Sequence, residues 1–227
     1  KEYRNLFKKT IISKNPILKN QIITQEDITF IKDTRNSIPL TSLNVVGLKS
    51  NCDIQEGEQL RNNFLSQKIG IIIVARCTSS RLPGKALRHI SGKESIVQVI
   101  NRMKRCKIPD YVILATSTDS TDDILVEIAQ REGIAFYRGS LSDVAKRYLG
   151  AAQKYELNHF VRVTGDALLC DEIMVDKAIE SHLYNSCDIT FMKNMPFGTH
   201  KEIVSINALK TIVEMAEEPD KTEYLEY

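Results

Sequence analysis

The chain has 227 residues, a net charge of +2 and a hydrophobic fraction of 42%. That is enough to bury a core, while the balanced charge excludes a dedicated nucleic-acid binder with one concentrated basic face. No apolar run approaches a membrane span, and the five cysteines (Cys52, Cys77, Cys106, Cys170, Cys187) form no C-x-x-C pair, so they read as reduced thiols in a cytoplasmic protein with no membrane or nucleic-acid partner.

Residues 1–62 carry short β-branched runs: Lys9-Thr10-Ile11-Ile12, Gln21-Ile22-Ile23-Thr24 and Leu43-Asn44-Val45-Val46-Gly47. They are too short for helices and fit small strands and turns. An internal echo relates Ile17-Leu18-Lys19-Asn20-Gln21-Ile22-Ile23 to Ile54-Gln55-Glu56-Gly57-Glu58-Gln59-Leu60. Asn20 and Gly57 fall at the same place, and both residue types tolerate positive φ, so each copy can make the same tight turn. Two related half-units in one compact fold are expected. With Phe7 to Ile11, Ile22 to Ile28, Val46-Gly47 and Cys52 to Leu60, the segment resembles the antifreeze-like (SAF) domain of sialic acid synthases. In those enzymes an Arg-Pro-Gly-type segment helps to hold the sugar. Here Ile31 to Pro39 lacks that Pro and Gly, which favours a packing or oligomerisation module over a sugar-binding one. Residues 61–68 read as a short linker.

From residue 69 onward the texture alternates. Continuous apolar runs at Gly70 to Ala75, Tyr111 to Thr116, Ile134 to Tyr137 and His159 to Thr164 suit strands buried on both faces of a parallel sheet. Helical patterns separate them: Ser95 to Met103, with Ile96, Val99, Ile100 and Met103 on one face, then Asp122 to Ala129, Val144 to Tyr155 and Ile173 to Leu183. Ser120-Thr121 stands where the second helix needs its N-cap. Alternation of this kind predicts a Rossmann-like α/β sheet that binds its ligand at the carboxyl ends of its strands.

The loop after the first strand runs from Ala75 to Lys85. It holds the cations Arg76, Arg81 and Lys85, the hydroxyls of Thr78, Ser79 and Ser80, and the turn Pro83-Gly84. Amide and hydroxyl donors with fixed cations are what a triphosphate needs. The loop is neither a Walker A nor a G-x-G-x-x-G sequence. A solvated surface loop is the bland alternative, and the position after the first strand argues against it.

Ile72 to Arg76 with Arg81 to Lys85 resembles the opening of cytidylyltransferases of the spore-coat polysaccharide type, relatives of the CMP-Kdo and CMP-sialic acid synthetases. The resemblance continues through Ala115-Thr116-Ser117, Tyr137 to Ser140 with Asp143-Val144 and Arg147-Tyr148, and Arg162 to Asp166. It implies a nucleotide-diphospho-sugar transferase fold over 69–227, C-terminally incomplete, behind a small, mostly β SAF domain at 1–62. The start at Lys1 fits a fragment of a synthase–transferase fusion. The implied reaction moves CMP from CTP to a sugar, an acidic one by family, and releases pyrophosphate. Arg81 and Lys85 match the catalytic cations. Ala75, Arg76, Ser79, Ser80, Arg138, Ser140 and Asp143 match nucleotide contacts, and Asp166 matches the acid that holds Mg²⁺. Asp143 is equally a helix cap and Arg138 a loop cation. The partners are CTP and a sugar, with a homodimer left open.

Four positions differ from the family pattern. Val74 replaces a Gln on the first strand, and the run after Asp166 reads Ala167 to Asp171. Thr78 replaces a Gly, where a positive φ would strain a β-branched residue. His200 replaces an acid, leaving Glu202 as the nearby carboxylate; His200 is a metal ligand or, more simply, a surface residue. A catalytically impaired nucleotide- or partner-binding protein is therefore the alternative. A glycosyltransferase is disfavoured by the lack of a D-x-D triplet.

Overall fold

The computed structural model describes residues 9–32, 45–78, 82–196 and 198–215. The chain divides into two compact units, Lys1–Gln67 with Glu180–Cys187, and Lys68–Ile179 with Asp188–Tyr227.

In the first unit β1 (Lys9–Ser13) pairs antiparallel with β2 (Ile28–Lys32), in a register running from Lys9 opposite Lys32 to Ser13 opposite Ile28. The Gln21 to Thr24 run forms no strand; Ile22 makes a single bridge to Lys49. Val45 to Gly47 is a turn, and residues 33–44, with the segment compared to the sugar-holding loop of synthases, lie outside the described residues. The internal echo reappears as a hydrogen-bond pattern with two-fold character. Ile17 and Ile54 exchange backbone bonds of 2.9 and 2.8 Å. Asn20 N donates to Ser50 O and Gly57 N to Ser13 O, both at 2.8 Å. Ile23 N reaches Leu48 O at 2.9 Å, and Leu60 N reaches Ile11 O at 3.0 Å. Even the side chains correspond: Leu18 N donates to Gln21 Oε1 and Gln55 N to Glu58 Oε2, each at 3.0 Å. Asn20 and Gly57 hold φ of 68° and 76°, the left-handed turn that both residue types accept. Each half supplies the backbone partners that the other lacks, so short runs can be satisfied without long strands. Ile11, Ile17, Ile23, Ile28, Val45, Ile54, Leu60 and Leu65 fill the core between them.

The second unit is a mixed α/β domain around a mostly parallel sheet. Its strands are β3 (Ile69–Val74), β6 (Tyr111–Ser117), β7 (Ala135–Gly139), β8 (His159–Thr164), β9 (Ile189–Phe191) and β10 (Glu202–Ser205), in the order β7-β6-β3-β8-β10-β9. The first four run parallel, and β10 is antiparallel to β8 and β9. Helix α1 (Ser95–Met103) buries Ile96, Val99, Ile100 and Met103, the apolar stripe visible in the sequence. Helices α2 (Asp123–Arg131), α3 (Val144–Lys154) and α4 (Glu172–Tyr184) follow the other periodic segments. Before α2 lies a short 3₁₀ turn, Ser120–Asp122, whose cap is Asp119 rather than Ser120 or Thr121; its carboxylate accepts from Thr121 N at 2.9 Å. The hairpin of β4 (His89–Ile90) and β5 (Lys93–Glu94) and the strands β9 and β10 are too short to announce themselves, whereas α5 (Ile206–Met215) carries an apolar face with Ile206 and Leu209 that the expected helices did not include. Ile72, Ile113, Ala115, Tyr148, Ala151, Phe160, Val204 and Leu209 pack one face of the sheet against α3 and α5.

His182 on α4 is fully buried, and burial pushes its imidazole down to about 4. The unfolded chain binds this proton near pH 6.5 and the folded chain does not until about pH 4. Stability from this group is therefore present above that unfolded value and lost as pH falls through the window. Thermal melts should show Tm declining between these two pH values, and His182→Gln should flatten the decline.

Candidate active site

β3 is the first strand of the parallel set; β6 and β7 lie on one side of it and β8 on the other. The chain changes direction between β3 and β8, the crevice where an open α/β sheet binds ligands. Two strand-end loops meet there. Gly165 N donates to Val74 O at 2.9 Å. A Cβ on Gly165 would stand 2.9 Å from Ala75 Cβ, 3.1 Å from Ile96 Cδ1 and 3.3 Å from Val74 O, so a hydrogen is required at that point.

This approach brings together Lys85 and Asp166, the expected catalytic cation and metal acid. Lys85 Nζ donates to Asp166 Oδ2 at 2.7 Å, with side chains 37% and 50% exposed. Burial works against the Asp166 charge, yet the Lys85 ammonium and the Thr164 hydroxyl hold its carboxyl below the usual range. Lys85 is itself fixed from below. Gly84, at φ 67°, caps the turn Lys85–Leu87, and Ser95 Oγ at the head of α1 donates to Lys85 O at 2.7 Å. Gly84 N closes the loop onto Cys77 O at 2.9 Å.

The first half of the loop is bound to the sheet. Ala75 N donates to Ala115 O at 3.2 Å, and Ala75 O accepts from Thr116 Oγ1 at 2.9 Å. Arg76 Nη1 donates to Leu141 O at 2.7 Å. Thr78 carries no left-handed strain: positive φ among the described non-glycine residues occurs at Asn20, Ser91, Glu156, Ser186 and Asn194. The loop takes its left-handed step at Gly84 instead, so a β-branched residue at 78 is accommodated. Burial, with Asp122 beside it, pushes the Cys77 thiol up to about 11, so it stays neutral at pH 7. Ser79, Ser80 and Arg81 lie outside the described residues.

Arg138, Ser140 and Asp143 make hydrogen bonds within the protein. Asp143 is the N-cap of α3 and accepts from Lys146 N at 2.8 Å; Ser140 Oγ accepts from Asp143 N at 3.0 Å. Arg138 donates to Ser117 O at 2.9 Å, Asp119 O at 2.8 Å and Asp123 Oδ1 at 2.6 Å. These contacts brace the ends of β6 and β7. Three more charged residues stand at the site: Arg147, which lies in a family motif but was given no role, and Lys201 and Asp122, which no motif marks. Arg147, almost fully buried, donates to Ser140 O at 2.8 and 2.6 Å and to Leu141 O at 2.9 Å, sharing Leu141 O with Arg76. Lys201, 6% exposed, donates to His200 O at 2.7 Å. Asp122 is fully buried behind the loop.

Glu202, the carboxylate nearest His200 in the sequence, is engaged within the sheet. It is 6% exposed, sits opposite Arg162 in the β10–β8 register and pairs with that guanidinium at 3.2 Å. Among the described residues no group of three or more His, Cys, Asp or Glu gathers as a metal cage. The carboxylate available at the site, half-exposed and ionised beside a cation-rich loop, fits Mg²⁺, which takes one or two carboxylates and completes its shell with phosphate oxygens and water.

Gly165→Ala should force the ends of β3 and β8 apart. The expected loss is about 1–3 kcal/mol by chemical denaturation, accompanied by weaker nucleotide binding.

A cytidylyltransferase family model matches residues 70–226. Similar chains include an uncharacterized protein of Methanocaldococcus jannaschii, 32% identical over 70% of this chain and 65% of that one. The spore coat polysaccharide biosynthesis protein SpsF of Bacillus subtilis is 32% identical over 61% of this chain and 59% of its own length. The chain thus spans less than two thirds of the length of these relatives. Among solved structures, a cytidylyltransferase from Leptospira borgpetersenii superposes with TM-score 0.67 at 30% identity, covering 70% of this chain and 69% of that one. A CMP:2-keto-3-deoxy-manno-octonic acid synthetase complexed with CTP shares the fold, with TM-score 0.56 at 18% identity over 70% of this chain and 83% of that one. With a cation-rich loop at the sheet's switch point and the family match running over nearly the whole second unit, the chain belongs to the cytidylyltransferase family.

Proposed function

We propose that this protein transfers CMP from CTP to the hydroxyl of an acidic sugar and releases pyrophosphate, for the synthesis of a cell-surface polysaccharide. The observation that carries the reading is the Lys85–Asp166 pair at the switch point, within a domain of the cytidylyltransferase family. The named relatives, a spore coat polysaccharide protein and a synthetase complexed with CTP, support the choice of nucleotide and pathway class.

In this reading the sugar oxygen forms a bond to the α-phosphorus as the bond from that phosphorus to the β-phosphate oxygen breaks in line. The hydroxyl proton leaves to solvent. Lys85 donates to the pyrophosphate oxygens as their charge develops, the kind of fixed donor that favours a transition state over a ground state. Arg76, Ser79, Ser80 and Arg81 complete the phosphate contacts, and the Ala75 backbone forms the floor. Arg138, Ser140 and Asp143 shape the wall of the nucleotide pocket through the bonds they make to β6 and α3. Asp166 would hold a magnesium ion, which when bound would supply Lewis-acid withdrawal of charge from the phosphates. The two-fold hydrogen-bond pattern of the first unit supports its reading as a SAF-type packing module.

Pyrophosphate release should be measured with CTP, UTP, ATP and GTP against a panel of acidic sugars, with and without Mg²⁺. CTP should be preferred, and Lys85→Ala should lower kcat/KM for CTP by roughly a hundredfold. Equal activity in the Lys85→Ala protein would sink the assignment. CTP binding without turnover on any sugar would leave a nucleotide-binding protein that keeps the fold.

A further inference from the structure

Asp122 is a charged residue with no exposed surface, and its carboxylate belongs to no ion pair found among the described residues. It lies in the 3₁₀ turn after β6. Oδ1 accepts from Cys77 N at 2.7 Å. Oδ2 accepts from the Ser117 hydroxyl and from Ser117 N, the latter at 3.2 Å. Burying a carboxylate is costly unless donors surround it. Burial alone would raise this carboxyl, but the donors outweigh it and hold the group ionised. Bonds from N–H and O–H to an ionised acceptor are about twice as strong as neutral ones.

Cys77 is the joint of the loop. Its N–H is held by Asp122, and its carbonyl accepts from Gly84 N at 2.9 Å. Gly84 caps the turn that begins with Lys85. A chain of direct contacts thus leads from the buried carboxylate through Cys77 and Gly84 to the cation that meets Asp166. The far side of Asp122 is equally fixed. Ser117 Oγ accepts from Asp119 N at 3.2 Å, and Arg138 grips Ser117 O, Asp119 O and Asp123 from β7.

We propose that Asp122 is a positioning residue for nucleotide binding: through the Cys77 backbone it fixes the loop that carries Lys85, without touching the nucleotide. This inference rests on the nucleotide-site reading above. Asn cannot replace Asp here. Its single oxygen can serve Cys77 N or Ser117 N, while its NH₂ faces the other donor.

The test compares wild type, Asp122→Asn, Asp122→Ala and a remote core variant, Leu209→Ala. Calorimetry with CTP and Mg²⁺ should show Kd for CTP rising about tenfold or more in both Asp122 variants. KM for CTP should rise in parallel, while KM for the sugar stays within about twofold. Leu209→Ala should lower Tm and leave Kd for CTP within about twofold, separating general destabilisation from positioning. In ligand-free wild type the Cys77 amide should exchange slowly with solvent deuterium, and in Asp122→Asn at least about tenfold faster. A folded Asp122→Asn protein with wild-type affinity for CTP overturns the proposal. So does a fast-exchanging Cys77 amide in wild type, which decides the matter even if both Asp122 variants fail to fold. Wild type that does not bind CTP at all instead overturns the nucleotide-site reading.

Discussion

The ends of β3 and β8 can touch because Gly165 has no side chain. A methyl group there would press on Ala75, Ile96 and the Val74 carbonyl. Everything at the site depends on this approach. It sets the cation-rich loop beside Asp166 and lets Lys85 reach across at 2.7 Å. The two charges satisfy each other, so the cation is held in place and the carboxylate stays ionised. Both are a third to a half exposed, which leaves the pair screened by solvent and weak in stability terms.

Around that pair most of the charged residues serve the frame. Arg138 ties β7 to the turn after β6, Arg147 and Arg76 converge on Leu141 O, Asp143 caps α3, and Glu202 neutralises Arg162 across two strands. Such bonds tie the loops at the carboxyl edge to the sheet and to one another. A different solution holds the first unit together. Its chain has few long strands, and two similar halves complete each other's backbone hydrogen bonds around an isoleucine-rich core.

Amphipathic stripes and unbroken apolar strands are legible in the sequence. The stripe of α1 and the bounds of β8 were readable because period 3.6 and continuous apolar runs report directly on burial. β9 and β10 were not, because strands of three and four residues carry too little pattern, whether at the edge of the sheet, as β9 is, or inside it, as β10 is. The family motifs marked the neighbourhood of the site but not the work of each residue in it. Thr78 looked strained by comparison with a glycine, yet the left-handed step falls at Gly84.

By itself the sequence determined the local matters: the turn formed by Asn20 and Gly57 in each half of the repeat, the helix faces, the strand cores and the cation-rich loop after β3. These follow from short-range sterics and from the periodicity of side chains along one element. Only the tertiary structure decided which charges meet. Lys85 and Asp166, Cys77 and Asp122, and Glu202 and Arg162 are each far apart in the chain. Their pairing depends on strand order and register, which the sheet as a whole sets and no local pattern records. The loop from Ala75 to Lys85 could therefore be read as a phosphate cradle from its residues, while the buried carboxylate that holds it in shape could not.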